Sequence, residues 1–201
     1  EIMPSLVGSE MCIRDRIIGD NKKPDIHKPL TQKLIRIQLR EIFKTFPEIE
    51  GIVIRFGETY LQNTPYHSGN NPNKENVKGG DGVVTDTLGV QGHILLLNIL
   101  REEVCVNLNK KVFYRTWDFG WLHTNRERYL KITDAVEPHP NLIFSIKYSN
   151  GDFHRMTPFN KTLGCGKHPY IVEFQGQPEY TGKGAFPVYM FGGMLRGYEE
   201  N

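Results

Sequence analysis

Long apolar runs are missing from this chain. Nowhere do 18 apolar residues follow one another, so no membrane-spanning helix is expected. Cysteine is scarce. Cys12, Cys105 and Cys165 fall into neither a CxxC pair nor a zinc-ligand spacing, which argues against a disulfide framework and leaves the compartment open. An excess of one charge is missing too. With 25 Lys and Arg against 23 Asp and Glu, the net charge of +2 gives no reason to expect a nucleic-acid partner. Phosphate-loop, nucleophile-elbow and dinucleotide motifs do not occur, and neither a metal nor an organic cofactor is expected.

What is present is a series of helical and strand patterns. Residues 1–16, EIMPSLVGSEMCIRDR, read unlike the rest and resemble a translated sequencing-library adapter. They are set aside as a non-native leader, with the expectation that the native N-terminal part lies outside this chain. Over residues 31–46, Ile35, Leu39, Ile42, Phe43 and Phe46 recur on one helical face, with Thr31 as candidate N-cap and Pro47 beyond the end. Residues 51–56 (GIVIRF) form a buried strand ending at Glu58. Residues 61–83 are rich in Asn, Gly and Pro, and a loop this long in a compact domain is usually functional or disordered.

A helix is expected over 89–106, with His93, Leu96, Leu97, Leu100 and Val104 on one face. A strand over 112–117 (VFYRTW) ends at Asp118, a helix covers 124–136, and strands at 142–148 and 169–174 follow. The later strand starts are 30 and 27 residues apart, close to one βα repeat. The expected fold class is therefore α/β. Residues 17–201 read as an incomplete (β/α)8 catalytic barrel of about four βα units, with the loop at 61–83 on its active-site face.

Carboxylates close each strand: Glu58, Asp118, Asp152, then Glu173 and Glu179. Glycoside hydrolysis needs two carboxyl groups across the scissile bond, roughly 6.5–9.5 Å apart in an inverting enzyme. Structural readings stay open beside this one: Glu58 could cap a helix, Asp118 could pair with Arg115 or Arg126, and Asp152 could belong to a turn. Arg55, Arg115 and Lys147 precede the acids by three to five positions. They either neutralise those acids or form a cationic rim for a substrate carboxylate. Tyr60, Tyr66, Trp117, Trp121, Phe153 and Tyr180 are candidate sugar platforms, although barrel cores use such rings as well. Asn160-Lys161-Thr162 is a glycosylation sequon of little weight, and His123, His139 and His168 read as loop or surface histidines.

Asn150-Gly151-Asp152-Phe153, then Glu173-Phe174-Gln175, then Gln177-Pro178-Glu179-Tyr180-Thr181-Gly182 together resemble the signature of family 67 α-glucuronidases. That signature has one strand ending Lys-Asn-Gly-x-x-Asp-Phe and a second reading Glu-Phe-Gln-x-x-Gln-Glu-Tyr-x-Gly. The resemblance covers most of residues 31–182 and is specific over 147–182. It implies a (β/α)8 barrel flanked by other domains and an inverting enzyme releasing a 4-O-methylglucuronic acid from xylo-oligosaccharides. By the same resemblance Glu58 is the general acid, and Asp152 and Glu179 activate the attacking water. The resemblance also has Arg115, Lys147 and Glu173 contacting the uronic acid; with Arg55 of the cationic rim and Trp117 of the candidate platforms they make up the expected substrate-binding set.

The chain departs from the pattern at Thr59-Tyr60 after Glu58, at His154-Arg155-Met156-Thr157-Pro158, and at Gly182-Lys183-Gly184-Ala185, which implies a divergent relative. The expected partner is an oligosaccharide or polysaccharide; the oligomeric state stays open. Two other classes remain alongside. One is a carbohydrate-binding protein without turnover. The other is a metal-dependent barrel enzyme using Asp118, Asp152, His154 and Glu173 as ligands.

Overall fold

The computed structural model describes residues 26–55, 87–117, 121–151, 153, 157–175 and 196. The leader, the loop at 61–83 and the segment around Glu179 lie outside the described residues. Helix α1 spans Pro29–Thr45, starting two residues before the expected cap. Pro29 takes the first helical turn, where its missing N–H costs nothing. Thr31 is therefore not the N-cap: it lies inside the helix and is buried, and the capping position falls on Lys28. Leu39 and Phe43 turn inward, Ile35 and Ile42 are half-buried, and Phe46, past the last turn, is exposed.

Four strands follow: β1 Gly51–Ile54, β2 Lys111–Arg115, β3 Leu142–Lys147 and β4 Tyr170–Glu173. They form one parallel sheet in chain order, β1-β2-β3-β4. Gly51 is required where β1 meets β2, since a Cβ there would stand 2.4 Å from the Lys111 carbonyl oxygen. Between β1 and β2 runs α2, Thr87–Leu100, continuing as a π-helical turn over Arg101–Asn107. Asn109, at φ 52°, ends it in the left-handed region, and the Lys110 N–H donates to the Val104 carbonyl at 2.9 Å. Between β2 and β3 lie α3, Trp121–Thr124, and α4, Arg126–Thr133; Asn125 separates them and caps α4 by accepting from the Arg128 N–H at 2.9 Å.

The period-two pleat divides the sheet into two faces. Val112, Tyr114, Leu142, Phe144 and Ile146 point to the helices and are fully buried with Leu97, Leu100 and Ile132. Each such side chain contributes roughly 1.5–3 kcal/mol. The opposite face carries Val53, Phe113, Ile143 and Ile171 along its middle, of which Val53 and Ile171 are exposed. At the C-terminal ends of the strands this same face changes to Arg115, Ser145, Lys147 and Glu173.

The interval from β3 to β4 departs from a βα repeat, because its described residues contain no helix. Pro158, Gly164, Gly166 and Pro169 break it, and Gly164 and Gly166 take φ of +71° and +81°. The segment packs on α4 instead. A Cβ on Gly166 would touch Thr133, Tyr129 and Leu130, and His168 Nε2 donates to the carbonyls of Thr133 and Val136 at 2.9 and 3.1 Å. His168 thus serves the open C-terminal carbonyls of α4 and is buried, not a surface residue.

On the helical side, Glu103 of the π-helical turn is gripped from α1. Arg40 forks onto both of its carboxylate oxygens at 2.7 Å, and Arg36 adds a bond at 2.8 Å. Further in, His93 Nδ1 and the Tyr114 hydroxyl lie 2.5 Å apart in the core. Burial pushes the His93 imidazole down to about 3. Cys105 and Cys165 are free thiols.

Candidate functional site

Parallel pairing places Arg115, Ser145 and Ile171 side by side, and Lys147 beside Glu173. Sequence-distant charges from β2, β3 and β4 therefore meet at one end of one face. The Arg115 guanidinium meets the Glu173 carboxylate as a two-pronged fork: Nε donates to Oε2 at 2.7 Å, and Nη2 donates to Oε1. Ser145 Oγ stands 3.4 Å from Oε2. Arg115 thus pairs across two strand intervals with another member of the expected binding set. Both partners stay partly open to solvent, with side chains 17% and 26% exposed.

Lys147 is enclosed. Its ammonium lies 4.1 Å from the centroid of the Trp117 ring and 4.2 Å from that of Phe153, and the residue is only 3% exposed. An ammonium over an aromatic face gains about 2 kcal/mol when desolvated, so this position is well held. Trp117 lies two residues past the end of β2 rather than within the strand. Arg55 lies one residue past β1, exposed, with β2 and β3 between it and β4. Glu58, Asp152 and Glu179 fall outside the described residues, as do Asp118, Tyr60, Tyr66 and Tyr180.

A polar network beneath the clamp went unread in the sequence. His123, expected at the surface, is fully buried on α3. Its Nε2–H donates to the Ser149 carbonyl at 2.9 Å, which leaves Nδ1 to accept from Asn160 Nδ2 at 3.1 Å. The second amide hydrogen of Asn160 goes to the Lys147 carbonyl at 3.2 Å, and Asn160 Oδ1 accepts from the Thr162 N–H at 3.0 Å. The Thr162 hydroxyl lies 2.9 Å from that oxygen and 3.1 Å from the His123 carbonyl. The edge of the His123 ring meets Trp117, with centroids 4.9 Å apart and planes at 79°. Burial, first, and then the positive charge of Lys147 push the imidazole down to about 4, against the raising effect of its bond to Ser149.

The sequon is therefore a packing motif in the folded chain. Asn160 is 3% exposed, and both hydrogens of the nitrogen that would carry a glycan are committed. Among the described residues, two cations of the rim, Arg115 and Lys147, face one acid, Glu173, beside a neutral histidine.

No family model and no curated protein matches the chain.

Proposed function

We propose that this chain carries the sugar-acid site of an α-glucuronidase-like glycoside hydrolase, on a (β/α)8 barrel of which the four parallel strands form part. The observation that carries the reading is the convergence of Arg115, Lys147 and Glu173 on one sheet face, with Trp117 against Lys147, at the C-terminal ends of three adjacent parallel strands. Parallel α/β sheets and barrels bind their ligands at that end. Among the described residues Arg115 and Lys147 lie at the rim beside Glu173, a charge pattern that suits a uronic acid carboxylate.

On this reading Glu58 protonates the glycosidic oxygen. Asp152 and Glu179 activate a water on the opposite side of the sugar, giving inversion. Lys147 and Arg115 hold the uronic carboxylate, while Glu173 fixes the Arg115 fork. The test is proton NMR on a xylo-oligosaccharide bearing 4-O-methylglucuronic acid, without added metal. Release of the uronic acid, seen first as the β anomer, is the expected result. Binding of the sugar without release would leave a carbohydrate-binding role, and absence of both would overturn the reading.

A further inference from the structure

We infer that His123, acting with Asn160, is the positioning group of the Lys147 clamp. Ser149 and Asn160 stand at the two ends of the excursion that carries Phe153. That excursion is clipped at its base by Asn150 N–H to Pro158 O at 2.8 Å and Asn160 N–H to Tyr148 O at 2.7 Å. An isolated antiparallel bridge joins Ser149 to Phe159. His123 bonds to both ends at once, through Nε2 to Ser149 and through Nδ1 to Asn160. Its ring edge lies against Trp117, the other wall of the clamp. One side chain on α3 thereby sets the spacing of the two rings, and Asn160 holds the backbone of Lys147 itself.

The bond from Asn160 needs a neutral imidazole; the Thr116 hydroxyl, 3.4 Å from the same Nδ1, can serve either form. A proton on Nδ1 removes the acceptor for Asn160 and turns two donors toward each other. It also places a second cation near Lys147 and Arg115, with Glu173 the acid among the described residues that favours it. The clamp should therefore open when His123 is protonated.

The test is a proton–carbon NMR titration of the 201-residue chain, following the His123 ring and the Lys147 ε-methylene together. Val112 and Phe144 amide signals report that the sheet is intact. Between two ring faces the Lys147 signals are shielded, and they should lose that shielding with the same midpoint as His123. In Asn160→Asp, a carboxylate oxygen replaces the amide nitrogen facing Nδ1 and favours the imidazolium. Both midpoints should then rise together by about two pH units, while the sheet amides stay in place. Lys147 signals that do not move as His123 titrates, or a variant that shifts one midpoint without the other, would overturn the assignment. If Asn160→Asp does not fold, co-titration in the wild-type chain decides. The role of His123 rests on the sugar-acid reading only for its effect on affinity; the titration uses no ligand, so either can fail while the other stands.

Discussion

Glu103 and Glu173 are both gripped by arginine forks, yet one is sealed and the other faces open space. The Glu103 side chain is 3% exposed behind the sheet, held by Arg36 and Arg40, and it rivets α1 to the π-helical turn. The Glu173 side chain is 26% exposed on the sheet face that carries none of the described helices, and Arg115 comes from a strand two places away. The pairing chemistry is the same. Burial of the Glu103 carboxylate makes the first a structural joint, although Arg36 and Arg40 keep 28% and 57% of their side chains open to water. On the proposed reading, the partly exposed second pair is where a ligand carboxylate would meet Arg115.

The largest expected effect is on the sealed pair. Glu103→Ala removes the buried anchor shared by Arg36 and Arg40, leaves Arg36 with Glu102 and Arg40 with water, and should lower the unfolding free energy by about 2 kcal/mol in urea titrations, with sugar-acid affinity unchanged. A loss below about 1 kcal/mol would put it in the class of exposed pairs.

Acid should separate the two regions next. The folded His123 imidazole sits at about 4 against an ordinary 6.5, so its contribution is complete above pH 6.5 and is lost as pH falls toward 4. The upper limit is on the order of 3 kcal/mol. The bonds from Arg40 and Arg36 hold the Glu103 carboxyl below its ordinary 4.5, so the contribution of that pair goes only at lower pH. His93 acts with the same sign as His123, so the share of His123 is the difference in slope between wild type and His123→Gln. Equal slopes would contradict the buried neutral histidine at the rim.

A smaller effect is expected at the open pair. Arg115→Lys keeps the charge but loses the fork, and should weaken glucuronate binding about tenfold with less than about 1 kcal/mol of lost stability. Loss of stability without loss of affinity would make this pair a joint like that of Glu103. Smallest is His168→Ala, which uncaps α4 away from both pairs and should cost about 1 kcal/mol with no change in affinity.

The strands were legible as short runs of β-branched and aromatic residues: GIVI, KVFYR and LIFSIK are found where those runs stand, although β1, expected to be buried, leaves Val53 exposed. The grouping of Arg115, Lys147 and Glu173 was legible as charges near strand ends, but which of them touch depends on register, which no local pattern encodes. The 27-residue spacing matched a βα repeat, yet the described residues between those strands hold no helix, because Pro158, Gly164, Gly166 and Pro169 outweigh spacing. His123 and Asn160 were missed for a different reason. They lie 37 residues apart and meet only through the return of the chain after β3. Asn160-Lys161-Thr162 reads equally as a sequon or as a side-chain-to-backbone turn, and only burial separates the two.

The central claim is that the open pair and the clamped lysine recognise a sugar carboxylate. Calorimetric titration of the chain with D-glucuronate and with D-glucose tests it most directly, repeated on Lys147→Met, which keeps the length of the stem and removes the charge. Glucuronate is expected to bind at least about tenfold more tightly than glucose, and the variant to lose that preference. Equal affinity for the two sugars in the wild-type chain, or a preference that survives in Lys147→Met, would contradict it.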